Sequence, residues 1–281
     1  MGHVAHCLIW DVDPVVTLWS LHIRWYGILF ALGVVLGHML LSWQMARAGH
    51  PEDTDIRLTW ALATGMLIGA FTGHRLFYEW DRVLADPWSA FSLKGPVIGL
   101  SSHGATVGIL FAAYLFHRWT RIPFLELTDR ITFGTALVAV FVRLGNLVNS
   151  EIVGKAASVP WAICFTHYDR AGLVPRHPVQ IYEALLGVVV LGLLFWADRK
   201  SGGERRPTGM LTGLFATSYF GLRIVAEFFK EPLVLSPDSP LSMGQILSFP
   251  FFLVGVVLLV RSLTKGGGAD HSLNPPDAPL P

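Results

Sequence analysis

The sequence predicts an all-α integral membrane protein of seven transmembrane helices, with a small external head and an interfacial arm formed by N-terminal and loop residues. Three observations carry this prediction. Hydrophobic residues make up 52% of the chain and charged residues only 15%, where soluble domains carry about 25% charged residues. Apolar stretches of about 20 residues, the length a bilayer requires, recur seven times, and mean hydropathy is +0.50. Lys and Arg concentrate in alternate loops, as in polytopic proteins with basic cytoplasmic loops.

In chain order the spans cover residues 24–44, 57–79, 97–118, 129–149, 178–197, 209–228 and 243–262. Gly37, Gly65, Gly69, Gly73, Gly108, Gly187, Gly192 and Gly213 lie within them, and small residues let membrane helices pack closely. The basic loops hold Arg47, then Arg118 and Arg121, then Arg199, Lys200, Arg205 and Arg206, and finally Arg261 and Lys265. With seven spans these segments share one side, the cytoplasm, and the N-terminus lies outside. Residues 80–96, with Trp80, Pro87, Trp88 and Phe91, read as an interfacial arm; residues 150–177 form the head. One transmembrane domain, 1–265, is followed by a Gly- and Pro-rich tail, 266–281, expected to be disordered and cytoplasmic. No internal repeat stands out, which disfavours inverted-repeat transporters. The net charge of +1 argues against a nucleic-acid partner. The first 22 residues contain Asp11, Asp13 and Pro14 and do not read as a cleavable signal. Cys7 and Cys164 make no metal site or disulfide framework; they can pair only in an oxidising compartment and at suitable geometry.

Polar residues inside the spans fall at one depth. Arg24 and Tyr26 open the first span; His74, Arg75, Tyr78 and Glu79 close the second. Ser101, Ser102 and His103 open the third, and Arg143, Asn146, Asn149 and Glu151 close the fourth. His177, Gln180, Tyr182 and Glu183 open the fifth, and Tyr219, Arg223 and Glu227 close the sixth. Each set lies toward the outside, so a polar cavity is expected there, with few polar groups in the inner half. Arg143 interrupts the apolar run 131–148. A guanidinium cannot shed its charge, and one at the centre of a span costs about 2.5–3.5 kcal/mol on insertion scales. An anion must compensate it.

Spacing refines the chemistry. Arg143 and Asn146 are three residues apart, on one helix face, with Gly145 between them to admit a close neighbour. A guanidinium fork suits phosphate or carboxylate, and the amide can bond an ester carbonyl or hydroxyl. Tyr219, Arg223 and Glu227 form a second stripe at four-residue spacing. Two such stripes can hold a lipid phosphate; internal salt bridges that merely tie the bundle are the structural alternative. His103, in SSHGATVG, is the candidate proton acceptor near neutral pH.

The run VRLGNLVNSEIVG, Val142 to Gly154, resembles the signature of prolipoprotein diacylglyceryl transferases. IRWYG (Ile23 to Gly27), GHRLFYE (Gly73 to Glu79), SSHGA (Ser101 to Ala105), RHPVQIYEA (Arg176 to Ala184), YFGLRIVAEFFKEP (Tyr219 to Pro232) and SMGQILS (Ser242 to Ser248) agree in order and spacing. The resemblance covers residues 20 to 262 and departs from the family's frequent HGG at His103-Gly104-Ala105 and after Gly154, where Lys155 and two alanines follow. It implies a seven-span bacterial inner-membrane enzyme with a periplasmic head and a periplasmic N-terminus. It implies transfer of the diacylglyceryl group of phosphatidylglycerol to the lipobox cysteine of a preprolipoprotein signal peptide, releasing glycerol phosphate, without a cofactor or metal. By the same resemblance His103, Arg143, Arg223, Tyr26 and Glu227 are catalytic candidates. Arg143, Asn146, Glu151, Gly154, Tyr219 and Arg75 are substrate-binding candidates, drawn from the resemblance and the outer charges. Glu151 and Glu227 are expected to orient the arginines. An anion or lipid transporter and a non-catalytic lipid-binding relative are the competing classes.

Overall fold

The computed structural model describes residues 7–91, 101–231 and 241–264. The expected disorder of the tail, the first residues of the third predicted span and part of the 80–96 arm lie outside the described residues. The helices are α1 (Trp25–Arg47), α2 (Thr54–Tyr78), α3 (Trp80–Ala85), α4 (Ser102–Thr120), α5 (Phe124–Val148), α6 (Val179–Lys200), α7 (Met210–Ala226) and α8 (Met243–Thr264). Apart from the short α3, each coincides with a predicted span. Among the described residues, α1, α2, α5, α6 and α8 are long and apolar enough to cross a membrane. Their surfaces fit that setting: Leu32, Val35 and Met39 on α1, Val188 and Val189 on α6, and Val254 and Val257 on α8 are all exposed. Contiguous apolar surface of this kind is rare on soluble monomers.

Five short strands were not legible in the hydropathy pattern: β1 (Leu8–Trp10), β2 (Val15–Leu18), β3 (Leu21–Arg24), β4 (Ile163–Phe165) and β5 (Pro175–Arg176). At two to four residues they are too short to show an alternating signature.

By internal packing the chain divides into two units, residues 1–40 with 129–281, and residues 41–128. In the first unit, Phe133 and Ala136 of α5, Val190 and Leu194 of α6, and Leu211 of α7 form a buried core. Above it, β4 pairs with β1 in parallel and with β5 antiparallel, and a disulfide joins Cys7 to Cys164. Val153, Ile163 and Phe165 bury this sheet against Leu147, with Trp10 and Ile181 packed alongside. β2 and β3 form a separate hairpin whose tip, Trp19, is almost fully exposed.

At the other end of the same helices, buried Asp129 and Arg130 add charge to the first residues of the fourth predicted span, against loop residues that carry more. Asp129 of α5 accepts hydrogen bonds from the backbone N–H groups of Gly209 and Thr212, both 2.7 Å, and so caps α7 from a neighbouring helix. Arg206 donates to Asp198 at 2.8 Å, and Arg130 to Glu204 at 2.8 Å. Arg206 was read as a loop charge, while Asp129 and Arg130 passed unremarked because they sit at a helix end, where hydropathy windows average them away. They are engaged in capping and ion pairs, so they tie helix ends together.

In the second unit α2 packs on α4 through glycines. A Cβ on Gly65 would stand 2.5 Å from the Gly108 carbonyl oxygen, and one on Gly73 2.6 Å from the Gly104 Cα. Gly69 faces the Gly104 backbone still more closely. The side chain of Ser101 caps α4 by accepting from the Gly104 N–H at 3.2 Å.

Candidate active site

The site in the first unit grows from the last turn of α5. Arg143 and Asn146, three residues apart, meet directly: the Arg143 Nη1 donates to the Asn146 Oδ1 at 3.1 Å. Asn146 donates in turn to Glu151 at 2.7 Å, and Asn149 to the same carboxylate oxygen at 3.3 Å. Glu151 reaches back because the chain reverses sharply after α5. Ser150 (φ 53°) and Ile152 (φ 55°) flank it in left-handed backbone, a conformation costly for a β-branched residue. Gly145 lets Tyr26 lie against α5: a Cβ there would stand 2.7 Å from the Tyr26 ring.

Glu183 of α6 is the centre of the arrangement. Its carboxylate meets Lys230 Nζ at 3.0 Å, Arg143 Nε at 3.2 Å and Arg223 Nη1 at 3.8 Å. Arg143, Glu183 and Lys230 are all buried. Lys230 also donates to Glu227 at 2.6 Å, and Glu227 accepts from the Ser242 hydroxyl at 3.0 Å. Ser242 caps α8 as well, accepting from the Gln245 N–H at 3.2 Å. The absent side chain of Gly244 leaves room for the Glu227 carboxylate. Three cations thus touch two carboxylates directly, and a third carboxylate, Glu151, is linked to Arg143 through Asn146. Beside them a small groove is lined by Glu183, Arg223 and Tyr219 together with Leu186, Val190 and Leu222.

Gly154 serves the frame of this site. Its backbone pairs with Lys230, and its carbonyl accepts from Arg176 Nη1 at 3.1 Å. Arg176 also forks onto Asp169, with two bonds of 2.8 Å, and reaches Glu231 at 2.7 Å. The Asp169 hydrogen bond, opposed in part by burial, holds that guanidinium protonated beyond its ordinary range.

The structure therefore brings together Tyr26, Arg143, Asn146, Glu151, Gly154, Tyr219, Arg223 and Glu227 in the first unit. Two expected residues belong to the second unit. Arg75 pairs there with Glu79 at 3.2 Å and lies over the Phe71 ring. His103 occupies the first turn of α4, and its side chain lies outside the described residues. Glu227 keeps its helical relation to Arg223, its N–H bonding the Arg223 carbonyl, but its carboxylate pairs with Lys230. Lys230 was missed and Glu183 was read only as one of several outer charges; the available signal was an ammonium three residues beyond Glu227.

A family model described as prolipoprotein diacylglyceryl transferase matches residues 14–261. Relatives named phosphatidylglycerol–prolipoprotein diacylglyceryl transferase include one from Tolumonas auensis, 38% identical over 261 residues, covering 91% of this chain and 97% of the relative. Another, from Chloroherpeton thalassium, is 40% identical over 262 residues, covering 92% of this chain and 95% of the relative. A third, from Porphyromonas gingivalis, is 39% identical over 274 residues, covering 91% and 95%. The chain belongs to the prolipoprotein diacylglyceryl transferase family.

Proposed function

We propose that this chain transfers the diacylglyceryl group of phosphatidylglycerol to the thiol of a lipobox cysteine in a preprolipoprotein signal peptide. The observation that carries the reading is one carboxylate, Glu183, shared by Arg143, Arg223 and Lys230 beside a groove with apolar walls. An anionic headgroup can take up guanidinium donors that Glu183 alone does not saturate, while acyl chains follow Leu186, Val190 and Leu222. The thiolate is the competent nucleophile, since a free cysteine has a pKa of about 8.5. Sulfur attacks the glyceryl carbon bonded to the phosphate oxygen. The C–O bond breaks as the C–S thioether forms, and glycerol phosphate leaves with the electron pair. Arg143 and Arg223 stabilise the charge that develops on that leaving group. Asn146, held by Glu151, and Tyr26 fix the position of Arg143; Glu227 fixes Lys230. The chemistry of imidazole makes His103 the acceptor proposed for the thiol proton. Arg75 is proposed as a further headgroup contact on its charge and depth in the sequence.

The membrane setting follows the same reading. α4 and α7 complete seven spans, residues 150–177 form a periplasmic head, and the Trp19 hairpin and Trp88 segment lie at the interface. The N-terminus is periplasmic and the C-terminus cytoplasmic, in the bacterial inner membrane. The test is to incubate purified protein with phosphatidylglycerol and a lipobox peptide. The expected product is the peptide heavier by one diacylglyceryl group. Arg143→Ala should lower kcat/KM by about a hundredfold or more; wild-type activity in that variant would defeat the clamp.

A further inference from the structure

We propose that His177 holds the peptide substrate, donating a hydrogen bond from Nε2 to a backbone carbonyl beside the lipobox cysteine; the inference rests on the transferase reading and adds a peptide-binding residue to it. His177 lies just before α6, and backbone bonds fix its place. Its N–H donates to the Lys155 carbonyl at 3.0 Å, and the Lys155 N–H donates to the Phe229 carbonyl at 2.9 Å. Gly154 makes this approach possible, since a Cβ there would stand 2.7 Å from the His177 Cβ. The imidazole stands edge to face with Phe229 and Tyr182, at centroid distances of 5.2 and 6.0 Å. Tyr182 directly precedes Glu183, and Phe229 directly precedes Lys230. The aromatic cluster therefore adjoins the ion cluster through two separate parts of the chain.

Hydrogen-bond roles fix the tautomer. The Trp161 Nε1–H can only donate, and it does so to the Tyr182 oxygen at 2.6 Å. The Tyr182 hydroxyl has one other partner among the described residues, His177 Nδ1 at 3.1 Å, so its own proton goes there. A neutral imidazole whose Nδ1 accepts carries its proton on Nε2. That Nε2 has no partner among the described residues and is not sealed from the surface. Already protonated, it cannot accept the thiol proton, so its use is to donate. Exposed Trp161 and Phe229 flank it. Rings with a polar edge suit a peptide: they cover small apolar side chains while the N–H takes a main-chain carbonyl. The donor lipid leads off the other way, because Leu186 and Val190 run from Glu183 along α6, away from His177. The peptide continues into the lipoprotein outside the membrane, and so reaches the ion cluster from the side of His177.

The experiment uses the full chain in mixed micelles, with the lipobox peptide and phosphatidylglycerol varied separately. His177→Ala should raise KM for the peptide by at least about tenfold, leaving kcat and the KM for phosphatidylglycerol within about threefold of wild type. His177→Gln keeps a side-chain N–H donor but is no base; it should bring the peptide KM back to within about threefold of wild type. Tyr182→Phe keeps the ring and frees Nδ1 to take the proton, so it should raise the peptide KM by about threefold. An unchanged peptide KM in folded His177→Ala, or in Tyr182→Phe where His177→Ala does not fold, overturns the proposal. A rise confined to the KM for phosphatidylglycerol overturns it in favour of a lipid contact. A loss of kcat that His177→Gln does not rescue overturns it in favour of proton transfer. Wild-type protein that transfers nothing strikes instead at the transferase reading.

Discussion

Lys230 is buried, yet touches two carboxylates, Glu183 at 3.0 Å and Glu227 at 2.6 Å. Removing one partner of a buried ion pair leaves an uncompensated charge, a loss of about 3–5 kcal/mol. Lys230→Met removes the ammonium from Glu227 and one of three cations from Glu183, so both thermal stability in detergent and transfer should fall. Pairing it with Glu227→Gln should restore much of the thermal midpoint while transfer stays low, since the ammonium that Glu183 shares with the two arginines is still missing. Recovery of transfer along with stability would make Lys230 a purely structural residue. The same cluster separates what spacing can disclose from what it cannot. Arg143 and Asn146 were legible as a pair because three-residue spacing on a continuous helix fixes their proximity, and they bond at 3.1 Å. Arg223 and Glu227 have equally favourable spacing, but the Glu227 carboxylate pairs with Lys230. Lys230 depends on a backbone pairing with Gly154, 76 residues earlier in the chain, and nothing local announces it.

At the scale of elements, the helices were legible and their contacts only partly so. Glycines on α2 and α4 signalled close approach, but sequence could not say that Gly65, Gly69 and Gly73 meet Gly104 and Gly108. Backbone-to-backbone contact of this kind replaces the hydrophobic drive that lipid removes. A methyl group at Gly69 would run into the Gly104 carbonyl, and overpacking a close contact costs about 1–3 kcal/mol. Gly69→Ala should therefore lower the thermal midpoint in detergent and increase trypsin cleavage at the exposed Arg121 that follows α4. Gly192→Ala is the matched control, because nothing lies within 4 Å of a Cβ there; it should be neutral or slightly stabilising, as alanine is the better helix former. Equal midpoints for the two variants would mean that the α2–α4 contact is looser than described.

For the molecule as a whole, the Cys7–Cys164 disulfide joins points 157 residues apart. Pairing was left open by the sequence because it depends on a strand register: β1 runs parallel to β4 with Ile9 opposite Cys164, which brings Cys7 to the same edge. Disulfides persist in oxidising compartments and are rare in the cytosol, so this bond bears on orientation independently of the basic loops. Both arguments support the proposed placement of the head outside. The chain has two cysteines, so protein taken directly from cells into denaturant and a maleimide polymer should show no adduct before reduction and two after it. In cells lacking the periplasmic thiol oxidase, the doubly labelled form should appear without reduction. Two free thiols in normally oxidising cells would reverse the orientation or remove the bond. The stabilisation should be modest, nearer the lower end of about 2–4 kcal/mol, because inserted helices already restrict the unfolded chain. It should also be local: β1 has three residues, of which Leu8 and Ile9 are exposed, so reduction should speed amide exchange at Leu8–Trp10 and leave the α5–α6–α7 core protected.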